Sequence, residues 1–276
     1  LPHSVGPLSH GWEKWLTRWV LERVRLVMVR EPISMRVVEA CGVKNPNIHL
    51  VADMAFAYQA AAQEQVDEWL RSQGISLQAG RPMLGITVVN WGAQNKVFRQ
   101  QEEYERACMA AAHWFASHSG GLVIFFPQVW GPLPEQDDRI PARRIASQLQ
   151  DIHESIRVVE QPLPTDLLKA VYGRMELFIG TRMHSNIFAL SEGVPVIAIG
   201  YLHKSLGIAQ MVGMDQWVIP IQQADEVSLV GRLEALWNAR AAWREHIYTV
   251  IPELVRQAEQ AGSMIRADYY RKGDLK

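Results

Sequence analysis

Two cysteines, Cys41 and Cys108, are all that the 276 residues contain, and they share no CxxC or Cys/His spacing. That excludes a disulfide-rich fold and a structural zinc cage, and predicts two reduced thiols in apolar helical stretches. No apolar run approaches the ~20 residues needed to span a bilayer, and no secretory leader is visible. The expected location is therefore the cytoplasm. The formal net charge is −1, which gives no bulk attraction for nucleic acid or an anionic membrane. HExxH, a carboxylate triad, the P-loop, GxSxG and GxGxxG are all missing, so neither a metal nor a nicotinamide cofactor is expected. What is present is 48% apolar and 21% charged, ordinary for a soluble globular protein. The length suffices for one large or two modest domains.

The first residue is Leu1 rather than Met, and LPHSVGPL reads as a strand already under way before a Gly-Pro turn. The chain is thus expected to begin inside a domain. Residues 11–25 have helical spacing, with Trp12, Trp15, Leu16 and Trp19 on one face and Lys14, Arg18, Glu22 and Arg25 mostly on another. Packing of that face on a neighbouring layer is expected, and contact with the inner face of a membrane is the alternative. Residues 26–29 read as a strand. Ser34 is the expected N-cap of a helix over 35–41 that ends at Gly42. Residues 48–52 form a second strand ending at Asp53.

Residues 59–80 read as a connecting helix and linker. From Arg81 onward, strands at 84–89, 122–126, 156–159, 177–179, 196–199 and 217–219 alternate with helices near 101–117, 139–150, 165–174, 184–192 and 205–212. That order predicts an α/β fold with a doubly wound parallel sheet, which binds ligands at the carboxyl ends of its strands. Two terminal helices, 225–239 and 242–270, and a basic, solvated tail complete the chain. The expected domains are a partial one at 1–58, a linker at 59–80, a main domain at 81–240, and a terminal helix at 241–276 packing back on the first part.

Polar residues follow each strand: Arg30, Asn90, Gln128, Glu160, Arg182 with His184 and Ser185, and Lys204. The segment LFIGTRMHSNIFALSEGVPVIAIGYLHK reads as strand, turn, helix, strand and loop. Strands joined in this way are parallel neighbours, so Arg182, His184 and Lys204 are expected at one sheet edge beside a helix N-terminus. Two cations and an imidazole placed there suit a small, multiply charged anion. His203 adjoins Lys204 but is not assigned to the set. Asp137 and Asp138 read as acids at a helix start.

GTRMHSNIFALSEGVPVIAIGYLHKSLGI resembles the C-terminal signature of the polysaccharide pyruvyl transferase family. VREPIS with LVADMAF resembles its Arg-acid-x-x-Ser segment and the following strand, and PQVWGP with DDR resembles its mid-domain loop. SVGPL is similar to its Gly-Pro turn. The resemblance implies two Rossmann-like halves facing across a cleft, as in GT-B glycosyltransferases. It implies transfer of the pyruvyl skeleton of phosphoenolpyruvate, a donor substrate rather than a cofactor, onto sugar hydroxyls as a ketal. The family's expected catalytic and donor-binding positions match Arg30, Arg182, His184 and Lys204; Ser185, Asn90, Gln128 and Glu160, at or near strand ends, are expected as further substrate contacts. Members carry a longer N-terminal segment with a Gly-rich turn, absent here.

On this reading Arg30 and Arg182 pair with carboxylate and phosphate. Lys204 neutralises the leaving phosphate, and His184 protonates the methylene carbon. The partners are a small-molecule donor and a saccharide acceptor, lipid-linked if the Trp-rich helix meets a membrane. Two alternatives stay open. One is a nucleotide-sugar glycosyltransferase with Glu160 or Glu192 on a ribose. The other is a non-catalytic anion-binding module.

Overall fold

The runs LVIF at 122–125 and LFIG at 177–180 are buried along their whole length. Strands covered on both faces have this unbroken apolar pattern. The structure, a computed structural model, describes residues 1–76, 80–91, 100–200 and 203–270. Residues 77–79 of the expected linker and the tail 271–276 lie outside the described residues. Contacts divide the chain into two units, neither contiguous in sequence. One is Leu1–Tyr58 with Leu202–Asp215 and Thr249–Lys276; the other is Gln59–Tyr201 with Gln216–Tyr248.

The first unit opens with α1 (Gly11–Leu21), β1 (Val27–Val29), α2 (Pro32–Ala40) and β2 (Ile48–Leu50). β1 and β2 pair in parallel, Val29 opposite Leu50. Val27 and Val29 meet Val38 on one face, while Met28 meets Val51 and Ala261 on the other, the period of two that a strand imposes. Residues 1–8 form no strand; their tie to the sheet is an isolated bridge, His3 to Val29. α1 stops at Leu21, short of residue 25, because the Asn45 side-chain amide donates to the Leu21 and Val24 carbonyls. No residue of α1 is buried. The Trp face expected to pack on a layer is uncovered among the described residues: Trp12 and Trp15 are each 64% exposed.

Ser34 is not the cap of α2. Glu31 holds that position, its carboxylate accepting from the Ser34 N–H, with Pro32 at the first helical residue. The Pro explains the shift: it cannot donate and presets the helical φ, so the helix begins with it.

The second unit continues with α3 (Gln63–Ser72), β3 (Met83–Thr87), α4 (Gln101–Ser119), β4 (Leu122–Phe125), α5 (Arg139–Gln148), β5 (Ile156–Val158), α6 (Thr165–Tyr172), β6 (Leu177–Gly180), α7 (Met183–Ser191) and β7 (Val196–Gly200). The chain then forms α8 (His203–Val212) of the first unit, returns as β8 (Val218–Pro220), and ends in α9 (Glu226–Tyr270). α9 is one helix where two were expected. Residues 240–242 are Arg-Ala-Ala, strong helix formers, and Pro252 lies within the helix without ending it.

The sheet order is β5-β4-β3-β6-β7-β8, with every pairing parallel. The order reverses between β3 and β6, which makes their carboxyl ends the topological switch point. Thr87 and Gly180 pair there. Gly180 is required: a Cβ would strike the Asn186 side chain, whose amide donates to the Gly180 carbonyl.

Both cysteines are free. Burial pushes the Cys108 thiol up to about 12, while Cys41 at the end of α2 is partly exposed. Because only the thiolate reacts, Ellman's reagent near neutral pH is expected to modify Cys41 alone in the native protein. Cys108 should react only on unfolding, and rapid modification of both thiols would contradict this burial.

Candidate active site

At the switch point a hydrogen-bonded network of hydroxyls closes the sheet edge. Thr87 Oγ1 meets Ser185 Oγ at 3.0 Å and accepts from the Thr181 N–H at 3.1 Å. The Tyr104 hydroxyl meets Thr181 Oγ1 at 2.8 Å, and burial raises the Tyr104 pKa well above the usual phenol value. Ser185 also donates to the Arg182 carbonyl at 2.6 Å. The hydroxyl of Ser185, expected to bind substrate, is thus fully buried and committed to positioning the first turn of α7. Tyr104 and Thr87 gave no sequence signal, because each is an ordinary helix or strand residue until the fold brings it to Thr181, in the turn between β6 and α7.

Arg182 caps α7 by backbone position, and its guanidinium is engaged. Nε and Nη2 donate to the two oxygens of Asp138 at 3.0 and 2.6 Å. Asp138 is completely buried and also accepts from the Gln128 and Val129 N–H groups at 3.3 and 3.0 Å. The fork expected to hold the donor therefore ties α7 to the loop after β4. Asp138 does stand at a helix start, before α5, but its side chain makes no cap hydrogen bond. Its neighbour Asp137 is held below the usual carboxylate range by the Arg139 guanidinium.

His184 is the second residue of α7 and, unlike the residues around it, is exposed. It lines a cavity of about 340 Å³ with Pro127, Gln128, Trp130, Leu163 and Phe188, all from the second unit. The walls follow β4 and β5, where a parallel sheet presents ligands. The cavity is of small-molecule size, and its walls mix apolar side chains with Gln128, Gln161, Thr165 and His184. The Gln128 amide donates to the Tyr172 hydroxyl at 2.7 Å. Trp130 donates to the Pro127 carbonyl at 3.1 Å and carries the Arg139 guanidinium 4.5 Å from its ring centre.

The other expected contacts are placed differently. Glu160 follows β5 but pairs with Arg143 at the surface, which lowers its carboxyl pKa; its neighbour Gln161 is the one that lines the cavity. Asn90 donates to the Pro134 carbonyl at 3.3 Å and is not among the lining residues.

Arg30 and Lys204 belong to the first unit. Arg30 follows β1 and donates to Asp53, after β2, at 2.8 Å and to Ser4 at 2.8 Å. Asp53 also caps the short 3₁₀ turn Met54–Ala57. Lys204 is not in a loop but in the first turn of α8. β6 and β7 are the parallel neighbours that the sequence implied. The chain leaves the second unit after β7, so Lys204 is grouped with Arg30 rather than with His184. Among the described residues no group of His, Cys, Asp and Glu is arranged to hold a metal ion, and no helix is long and apolar enough to cross a membrane.

Parallel strands alternating with helices, with polar residues and His184 after their carboxyl ends, define an α/β, Rossmann-like domain. The sequence pattern of the polysaccharide pyruvyl transferase family matches residues 1–203, and the chain belongs to that family. It is 25% identical over 267 residues to the amylovoran biosynthesis protein AmsJ of Erwinia amylovora, covering 96% of this chain and 63% of that protein. A putative UDP-N-acetylglucosamine 2-epimerase from Listeria monocytogenes superposes with a TM-score of 0.60 at 10% identity, over 89% of this chain and 60% of that one. Sucrose-phosphate synthase from Thermosynechococcus elongatus gives 0.56 at 16%, over 95% and 63%. These likenesses show an α/β, GT-B-like fold. The chain spans less than two thirds of each of these relatives.

Proposed function

We propose that the protein transfers the pyruvyl group of phosphoenolpyruvate to two hydroxyls of a saccharide, forming a ketal during exopolysaccharide assembly. Family membership and the similarity to an amylovoran biosynthesis protein support the reaction class. The observation that carries it at the residue level is His184, exposed at the start of α7 and lining a small cavity at the sheet's ligand edge. His184 acts as general acid on the methylene carbon, which makes C2 electrophilic. One hydroxyl attacks C2, and a second closes the ketal as phosphate departs. Arg182 serves as a positioning residue, because its fork is spent on Asp138. Arg30 and Lys204, both of the first unit, are assigned to the donor's charge, with Arg30 also held by Asp53 and Ser4.

Calorimetric titration with phosphoenolpyruvate, uridine diphosphate and guanosine diphosphate tests the donor class. Heat of binding is expected with phosphoenolpyruvate alone, and Arg30→Ala should weaken it at least tenfold. Binding of a nucleotide but not of phosphoenolpyruvate would replace this reading with a glycosyltransferase. Phosphate release from phosphoenolpyruvate on adding cell-derived polysaccharide tests turnover.

A further inference from the structure

Among the described residues that line the cavity beside His184 there is no Asp, Glu, Lys or Arg, and every one belongs to the second unit. A carboxylate or phosphate seated there would leave water without a fixed cation to pair with, which is costly. The walls suit a neutral molecule instead. Phe126, Val159 and Phe188 are buried, Gln128 and Trp130 are half-buried, and Gln161 and Thr165 are exposed, as His184 is. The cavity therefore passes from an apolar base to a rim of uncharged amides and a hydroxyl.

Trp130 is held from several sides. Its Nε1–H donates to the Pro127 carbonyl at 3.1 Å, and its backbone bridges to Asp137. The Arg139 guanidinium lies 4.5 Å from its ring centre. Arg139 is fixed in turn by its fork on Asp137, Nε donating at 2.9 Å and Nη2 at 2.6 Å. The indole is thus preorganised, which lowers the ordering cost for a ligand that stacks on it. A pyranose ring is such a ligand. Its axial C–H bonds make an apolar face that lies against an aromatic ring. Its equatorial hydroxyls point outward, where Gln128, Gln161 and Thr165 carry groups that both donate and accept. A nucleotide would bring its phosphates to the same uncharged walls.

We infer that this cavity is the acceptor subsite. It takes one uncharged pyranose of the saccharide, stacked on Trp130, and discriminates against uronic acids. The ligand's role as acceptor rests on the pyruvyl-transfer reading above, whereas its binding needs residues of the second unit alone.

Saturation-transfer NMR on the full chain tests this. The probes are the methyl pyranosides of glucose, galactose and mannose, the methyl glycosides of the corresponding uronic acids, and uridine. At least one neutral pyranoside is expected to receive saturation, and the uronic acids and uridine are not. Trp130→Ala should weaken that binding roughly tenfold, the worth of one aromatic contact, while Trp130→Phe should keep most of it. If Trp130→Ala does not fold, Gln161→Ala on the exposed rim should weaken binding roughly fivefold, the worth of one hydrogen bond. Saturation of no pyranoside, equal saturation of the uronic acids, or binding unchanged in both Trp130→Ala and Gln161→Ala would overturn the subsite. Saturation of uridine in place of every pyranoside would overturn it in favour of a nucleoside. A pyranoside bound at Trp130 with no phosphate released from phosphoenolpyruvate would instead sink the pyruvyl-transfer reading and leave a saccharide site standing.

Discussion

Asp138→Ala is expected to destabilise the second unit by about 3–5 kcal/mol, the range for removing one partner of a buried ion pair. Asp138 has no exposed surface, and Arg182 opposite it is mostly covered. Without the carboxylate, Arg182 keeps its charge and loses two charge-assisted hydrogen bonds, while the Gln128 and Val129 N–H groups lose their acceptor. The loop that carries Pro127, Gln128 and Trp130 would then lose its tie to α7, so the cavity beside His184 should lose its shape as well. Chemical denaturation checks the size of the loss. Asp138→Asn keeps an acceptor for the backbone donors but removes the charge, and should fall between alanine and wild type. In a cycle with Arg182→Ala the two losses should be far from additive, because they share one interaction. A loss below about 1 kcal/mol for Asp138→Ala would show that the pair is worth no more than a surface salt bridge.

This pair also marks where the sequence stops being legible. Most strands of the sheet were readable as apolar runs without alternation, separated from the next by a helical period; β5, with Arg157 at its centre, was readable from its place in the alternation. The α/β class and the chain order of the sheet follow from that local pattern. The partners of Arg182 and Ser185 do not. Asp138 is 44 residues from Arg182, and Thr87 is 98 residues from Ser185. Spacing along the chain carries no trace of such contacts. Arg30, Gln128, Arg182 and His184 do follow strands in the chain, but position after a strand could not say whether a side chain faces a cavity or is already bound inward. Glu160 and Gln161 are the sharpest instance: adjacent in sequence, they separate into a surface ion pair and a cavity wall. Ser34 was misread because a serine three residues after Glu31 satisfies the cap rule from either side. Pro32 decides for Glu31, since it sets the first helical φ.

His184→Ala is expected to leave the fold and donor binding nearly intact and to reduce ketal formation by roughly 10²–10⁴-fold, the usual contribution of a positioned acid. The exposure of His184 underlies the first half of that expectation. Truncating an exposed side chain typically changes stability by about 0.5 kcal/mol, and α7 is also anchored through Ser185, Asn186 and Arg182. The second half follows from the order of the chemistry. Until C3 is protonated, C2 of an enol phosphate is a poor electrophile, so removing the acid raises the barrier without removing the groups that hold the carboxylate and phosphate. The kinetic signature is therefore a fall in kcat with a nearly constant dissociation constant for phosphoenolpyruvate, an interaction made chiefly in the transition state. Calorimetry of the variant with phosphoenolpyruvate and NMR detection of the ketal methyl group separate the two quantities. Loss of binding in step with turnover would move His184 from the acid to the donor site. Unchanged turnover would remove it from the mechanism and leave the α7 cavity with a different occupant.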